Sequence, residues 1–259
     1  LKGAHVLLDP TGGAQEQREA AEPLVGDLAL TYRFPAHTAL PVRHVSSSTG
    51  QISAPLGTRI TFETSALIPV TGASLLLNRE DEAAPHPLKL KVGGRGKISG
   101  SFQVRAPGSY RFSLAPPGGE PLLDPVERRI SVEADNYARL TLYGPENGLE
   151  VTDRTVVELG FIAEDDYGVR EVRLAFQQPG DASIQRRTLW KPPGSSPVRS
   201  AMGKEAWDLD QVDLRPGARL TYWLEALDND TVSGPKVAQT RPRTLRIHSP
   251  DQKHRAALA

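Results

Sequence analysis

Cysteine is absent from this 259-residue chain, which excludes disulfide bonds, thiolate nucleophiles and metal–thiolate sites. Basic and acidic residues balance at 31 each, whereas a nucleic-acid-binding protein is expected to carry a basic surplus. No apolar run approaches the roughly 20 residues of a membrane-spanning helix. Because the chain opens on Leu1 without a signal-like segment, we expect a piece of a longer protein whose membrane anchor lies outside it.

Catalytic motifs are also missing. The sequence contains no G-x-S-x-G nucleophile elbow and no H-E-x-x-H zinc pair, and residues 93–97 lack the spacing of a phosphate-binding loop. The six histidines are scattered without ligand spacing, and we interpret them as solvated loop residues. The sequence therefore predicts a protein that is not an enzyme. An unrecognised hydrolase stays open as an alternative class.

The patterns that are present are those of a turn-rich β protein. The chain holds 23 glycines and 22 prolines, and apolar side chains alternate with polar or small ones in residues 28–34, 58–66, 155–163, 172–176 and 220–226. This alternation is typical of strands that turn one face to a core. The fold class predicted is all-β.

The two halves of the chain repeat one scheme. Residues 58–66 match residues 155–163 in apolar phase, and Pro107-Gly108 corresponds to Pro216-Gly217. Gly108 precedes Tyr110 as in the corner before strand F of immunoglobulin-like domains, where the tyrosine hydroxyl closes the loop. We expect two tandem immunoglobulin-like or fibronectin type III-like β-sandwiches. The predicted segments are a lead-in over 1–26, sandwiches over 27–134 and 135–249, and the start of a helical tail over 250–259.

Acidic residues occupy two turns that an immunoglobulin-like sandwich would bring to one end, the B-C and F-G loops. The linker over residues 133–136 should pass beside them, so its aspartate joins the group. The candidate calcium ligands are Asp135, Glu164, Asp165, Asp166, Asp228 and Asp230. Clustered carboxylates suit calcium, which takes six to eight oxygen ligands. The alternative is that these side chains accept backbone N–H bonds within their own turns.

Two tryptophans supply a candidate binding surface. If Leu220, Tyr222 and Leu224 face the core, Trp223 faces outward, and Trp190 on the preceding edge strand could lie beside it. An outward tryptophan can stack a sugar or anchor a protein partner. The alternative is that it packs under a loop or a neighbouring domain.

Several short segments together resemble one family of large, uncharacterised bacterial inner-membrane proteins. They are Tyr32-Arg33-Phe34-Pro35, residues 52–57, Gly100-Ser101-Phe102, residues 108–112, Asp124-Pro125-Val126, residues 163–169 and residues 224–235. The resemblance implies an N-terminal membrane anchor, tandem immunoglobulin-like domains outside the cytoplasm and a long helical region after them. Genes of such families often neighbour those of MoxR-type ATPases and von Willebrand A-type proteins, which suggests an envelope assembly. The resemblance implies no catalytic residues in this chain.

These observations lead to one expected function. We expect a non-enzymatic, periplasmic spacer and protein-interaction module of a membrane-anchored envelope protein, without a cofactor unless calcium binds. Its partner is expected to be a protein of the cell envelope, and nucleic acid is not expected to bind. The alternative is a carbohydrate-binding module for cell-wall glycans, which would use Trp190 and Trp223.

Overall fold

The computed structural model describes residues 22–248 except Pro216, and 54% of it is β-strand. No α-helix occurs in these residues, although short 3-10 turns do, at Ala36–Thr38, Gly94–Gly96 and Leu209–Gln211. The all-β prediction is confirmed. The predicted helical tail, and the lead-in up to residue 21, lie outside the described residues.

The first half builds two sheets. Its strands are β1 (Leu28–Arg33), β2 (Arg43–Ser48), β3 (Ile52–Pro55), β4 (Arg59–Ser65), β5 (Gly72–Arg79), β6 (His86–Lys89), β7 (Lys91–Val92), β8 (Lys97–Gln103), β9 (Gly108–Ala115), β10 (Leu122–Leu123) and β11 (Arg128–Glu133). One sheet has the order β2-β1-β4-β8-β7, and the other has the order β3-β11-β9-β5-β6 with β10 beside β9. The chain therefore starts in one sheet with β1 and then enters the other with β3, which pairs in parallel with β11.

The second half repeats this plan with fewer strands. They are β12 (Arg139–Tyr143), β13 (Leu149–Val151), β14 (Val156–Glu164), β15 (Val169–Gln177), β16 (Gln185–Trp190), β17 (Ser200–Asp208), β18 (Arg219–Asp228), β19 (Val237–Gln239) and β20 (Arg243–Ile247). The sheets have the orders β12-β14-β17 and β13-β20-β18-β15-β16, with β19 beside β18. Here the chain changes sheet between β12 and β13, and β13 pairs in parallel with β20. Both halves therefore share a change of sheet followed by a parallel pair with the last strand.

Each pair of sheets encloses its own cluster of buried side chains. In the first, which spans residues 25–132, Phe62 and Phe112 meet edge to face across the two sheets at 5.6 Å. In the second, which spans residues 138–247, Trp207 packs 5.7 Å from Tyr222 on the facing sheet. We call these units the first and second sandwich. Their independence as domains stays a prediction.

Sequence alternation identified the core correctly in the long strands. Phe161 and Leu220, both predicted to be core residues, are 3% and 0% exposed. Residues 52–57, one of the segments that carry the family resemblance, begin with strand β3, because Ile52 and Ala54 face the core and the segment pairs with β11. Strands β6 and β7 are separated by a single residue, Leu90, but they belong to different sheets. Strand β6 pairs with β5, and β7 pairs with β8, so the chain passes from one sheet to the other between them.

The Tyr110 hydroxyl closes a loop, although not the one expected. It donates to the carbonyl of Gly50 at 2.7 Å, so it fixes the turn between β2 and β3 rather than the corner before its own strand. Gly50 has φ of 93°, and a Cβ there would lie 2.7 Å from the Tyr110 hydroxyl oxygen. Only glycine combines this backbone conformation with so close an approach.

A buried ion pair supports the same turn. The Arg128 guanidinium donates to the Asp124 carboxylate at 2.7 Å and, from Nε, to the Thr49 carbonyl at 3.1 Å. The other oxygen of Asp124 accepts from the backbone N–H of Leu24 at 3.2 Å. Since buried charges must be paired and hydrogen-bonded, these contacts fix the entering chain and the β2–β3 turn onto β11.

Candidate functional site

The loops at one end of the second sandwich contact the first sandwich. The backbone N–H of Asn229, after β18, donates to the carbonyl of Gly168, before β15, at 3.0 Å. The side-chain amide of Asn229 donates to the backbone carbonyl of His37, in the first sandwich, at 2.8 Å. The two acidic turns therefore lie at one pole, beside the chain that joins the sandwiches.

A lysine lies among the carboxylates at this junction. Lys236 Nζ is 2.6 Å from Asp135 Oδ2, 2.8 Å from Asp228 Oδ2 and 3.7 Å from Asp230 Oδ2. Asp135 belongs to the linker, Asp228 is the last residue of β18, and Asp230 lies in the β18–β19 loop. These four residues and His37 are called the junction cluster. Through it, the second sandwich holds the linker by a charge-assisted hydrogen bond.

Asp228 and Asp230 also order the turn that follows β18. Asp228 Oδ1 accepts from the N–H groups of Asp230 and Lys236 at 3.1 and 3.0 Å. Asp230 Oδ1 accepts from Val232 N at 2.7 Å and from Ser233 N at 3.2 Å. Both carboxylates therefore do what aspartates commonly do in tight turns, and each directs its other oxygen toward Lys236.

His37 is a member of this cluster, not a solvated loop residue as interpreted from sequence. It is 8% exposed, and its Nε2 lies 3.7 Å from Asp230 Oδ1. Its Nδ1 is 3.3 Å from the Thr231 hydroxyl, and its ring meets Tyr167 edge to face at 6.0 Å. The interpretation was wrong because the residues that bury His37 are far from it in sequence.

Hydrogen bonds and nearby charges shift the pKa values of Lys236 and Asp230 in the directions that favour charge, whereas burial raises the pKa of Asp135. Burial alone would lower the pKa of Lys236, but hydrogen bonds to Asp135 and Asp228 raise it above the ordinary 10.5. Burial alone would raise the pKa of Asp230, but the N–H bonds from Val232 and Ser233 and the nearby charges of His37 and Lys236 lower it. The lysine is therefore a cation at neutral pH, and Asp230 is an anion.

The remaining predicted ligands have separate roles. Asp166 Oδ2 accepts from the backbone and side-chain N–H groups of Asn136 at 3.3 and 3.2 Å, a second contact between linker and loop. Asp165 Oδ1 accepts from Tyr167 N and Gly168 N within its own turn. Glu164 is exposed and lies 3.8 Å from Arg139 Nη1. Asp135, Asp228 and Asp230 are thus brought together around Lys236, whereas Glu164 contacts Arg139 instead.

As arranged, the junction cluster does not fit calcium. A calcium ion needs six to eight oxygen ligands, whereas Lys236 already lies against Asp135 and Asp228. His37, Asp135 and Asp230 do bring one ligand atom each within 4.8 Å of one another, and Asp135 Oδ1 is buried without a hydrogen-bond partner among the described residues. A divalent cation would still have to displace the ammonium group. Calcium binding stays a prediction.

The two predicted surface tryptophans do not form one surface. Trp190 packs against the core of the second sandwich, whereas Trp223 is half-buried on the outer face of the sheet. Trp190 lies opposite Val172, a core residue, and a bulge in β15–β16 pairing follows it. A bulge changes which face a side chain takes, which alternation along one strand does not reveal.

Trp223 belongs instead to a polar network that sequence reasoning did not find. Its Nε1 donates to Glu225 Oε1 at 3.2 Å, and Gln239 Nε2 donates to the same oxygen at 3.2 Å. Arg173 Nε and Arg186 Nε donate to Glu225 Oε2 at 2.6 and 3.0 Å. Glu225 is 1% exposed although it lies on the outer face. These five residues are called the outer-face cluster.

Comparisons with known proteins add no assignment. No protein-family model matches the chain, and no curated protein matches it either. In the part of the chain that the structure describes, no helix has both the length and the hydropathy needed to cross a membrane. The family resemblance therefore stays a prediction.

Proposed function

We propose that this chain is a non-enzymatic spacer and protein-interaction module, in which the junction cluster holds two sandwiches at a fixed angle. The contact that carries the proposal is the one between Lys236 Nζ and Asp135 Oδ2, at 2.6 Å. It joins the loop of one sandwich to the linker that leaves the other. A spacer that transmits position needs such a restraint, because domains joined by a linker alone usually move relative to each other.

Contacts from separate segments support a restrained junction. Asp166 binds the linker at Asn136, and Asn229 reaches His37 in the first sandwich. Val232 packs against Gly57, where a Cβ would lie only 2.8 Å from the valine Cγ2 atom. Because three separate pairs of residues make these contacts, a change in the angle between the sandwiches would have to break several of them.

The location is part of the same proposal. The family resemblance favours the periplasm, with an inner-membrane anchor supplied by a segment outside this chain. In that setting, a spacer would position a partner protein at a set distance from the membrane. The alternative of a carbohydrate-binding module loses support, because Trp190 and Trp223 do not form a shared platform for a sugar.

Distance measurements between spin labels test the spacer. The chain has no cysteine, so Lys89→Cys and Lys204→Cys, both exposed, supply one label on each sandwich. We expect a narrow distance distribution for the parent chain, and a broader one after Lys236→Met, which leaves the carboxylates without their cation. Lys191→Met is the matched control, since that lysine is 63% exposed and lies 3.9 Å from Glu171. A broad distribution in the parent chain, or no change after Lys236→Met, would reject the proposal.

A further inference from the structure

We propose that the outer-face cluster is a docking site for an acidic segment of a protein partner. The proposal rests on the interaction role proposed above and names its surface. The cluster lies on the face of β15, β16 and β18 that points away from the core, centred on a carboxylate, Glu225, that is 1% exposed. The side chains of Arg173, Arg186, Trp223 and Gln239 all donate hydrogen bonds to that carboxylate.

The charges in this cluster do not cancel. Two guanidinium groups, those of Arg173 and Arg186, share one carboxylate. Burial alone would raise the pKa of Glu225, but hydrogen bonds from Arg186, Arg173 and Trp223 lower it, so the carboxylate is ionised at neutral pH. The cluster therefore has a surplus of one positive charge.

Unused hydrogen-bond donors face outward at the same place. Arg173 donates to Glu225 through Nε, and Arg186 donates through Nε and Nη2. Among the described residues, the remaining terminal nitrogens of both guanidinium groups have no acceptor. The Arg173 and Arg186 side chains are 24% and 41% exposed, so these donors reach solvent. A second carboxylate matches the planar arrangement of guanidinium donors.

The arginines are already held in place, which lowers the cost of binding. Glu225 fixes both guanidinium groups, so less side-chain entropy is lost when a partner arrives. Trp223 lies beside them, half-buried, with its N–H group engaged by Glu225. Tryptophan and arginine are the residues most enriched at energetic centres of protein interfaces. The expected ligand combines a carboxylate for the arginines with an apolar side chain for Trp223.

Selection from a random 12-residue peptide library displayed on phage tests this proposal. We expect the full chain to enrich peptides rich in Asp and Glu, and Arg173→Gln with Arg186→Gln to weaken their binding by at least about tenfold. Arg187→Gln is the matched control. Arg187 is the next residue on β16, and it pairs with Glu205 at 2.7 Å instead of with Glu225. The Arg187→Gln variant should bind the selected peptides as tightly as the parent chain does.

The double substitution leaves Glu225 without its charged partners, so a triple variant that adds Glu225→Gln separates docking from misfolding. The triple variant should keep a cooperative melting transition and still lose the peptides. Enrichment of no peptides, enrichment of peptides without acidic residues, or unchanged affinity in the triple variant would overturn the proposal. Binding to an array of acidic glycans in place of peptides would overturn it too. A failure here leaves the spin-label distances unchanged, so it is distinguishable from failure of the spacer.

Discussion

The side-chain amide of Asn229 donates to the backbone carbonyl of His37 at 2.8 Å, across 192 residues of sequence. His37 is in the 3-10 turn Ala36–Thr38 of the first sandwich, and Asn229 directly follows β18 of the second. A Cβ on Gly168 would lie 2.7 Å from the Asn229 amide nitrogen, so the side chain is confined from its other side as well. One asparagine thus connects two loops of its own sandwich and a turn of the other.

Removing this amide should weaken the junction without unfolding either core. We expect Asn229→Ala to lower the free energy of unfolding by about 1 kcal/mol, the usual net value of one hydrogen bond, and to broaden the spin-label distances less than Lys236→Met does. Asn78→Ala, at an exposed position on β5, is the control and should change neither quantity. An equal effect of both substitutions would contradict the assigned role.

The buried pair Asp124–Arg128 allows a test of domain independence. Arg128→Met leaves Asp124 charged and unpaired, and we expect it to destabilise the first sandwich by about 3 to 5 kcal/mol. The three tryptophans, at positions 190, 207 and 223, all lie in the second sandwich, so their fluorescence reports that unit alone. The denaturation midpoint measured by circular dichroism should fall, whereas the midpoint measured by tryptophan fluorescence should not change. Equal shifts by both probes would show that the chain unfolds as one cooperative unit.

Gly203 makes room for the Phe161 ring in the second core. A Cβ on Gly203 would lie 2.7 Å from two ring carbons, so we expect Gly203→Ala to destabilise by about 1 to 3 kcal/mol. Phe161→Ala should cost about 3 to 5 kcal/mol, and Phe161→Leu should reduce the penalty of Gly203→Ala, since the clashing atoms are gone. Gly194→Ala is the control, because no atom lies within 4 Å of its added Cβ. Additive effects of Gly203→Ala and Phe161→Leu would contradict this packing.

Acid should weaken the outer-face cluster. The pKa of Glu225 is lower than its ordinary 4.5 in the folded chain, so the unfolded chain binds more protons in that range. The carboxylate therefore stabilises the fold above pH 4.5, and that contribution is lost as the pH falls through the folded value. The free energy of unfolding, measured in urea between about pH 6 and pH 3, should depend less on pH for Glu225→Gln than for the parent chain. Glu164→Gln, which removes an exposed carboxylate, is the control. Equal dependence in the parent chain and Glu225→Gln would refute the assignment.

Calcium should reveal whether Lys236 takes the place of a metal ion. We expect millimolar calcium to raise the melting temperature of a Lys236→Ala variant, in which three carboxylates face each other without a cation, and to leave the parent chain nearly unchanged. Asp228→Asn added to Lys236→Ala should remove the response. If calcium stabilises the parent chain as well, the metal displaces the Lys236 ammonium group, and the calcium site expected from sequence is correct.

Alternation predicted the long strands because each has one face in a core and enough residues to display the period. Phe161 and Leu220 could therefore be assigned without a structure. Strand β3 could not, since its four residues are too short for a period and are ordered by their pairing with β11. Lys236 and His37 carry no local signal at all. Each acquires its role from residues that folding brings near, so no pattern within its own segment predicts it.

The change of sheet at the start of each sandwich has a mechanical consequence. In the second sandwich, Leu149 lies opposite Leu245 and Val151 opposite Ile247, in a parallel pair. Tension applied between the linker and the chain after β20 would pull these strands in opposite directions along their length. The hydrogen bonds of the pair would then share the load and have to break together, whereas bonds that open like a zipper fail one at a time. The short β13–β20 pairing should therefore resist stretching far more than its few hydrogen bonds suggest.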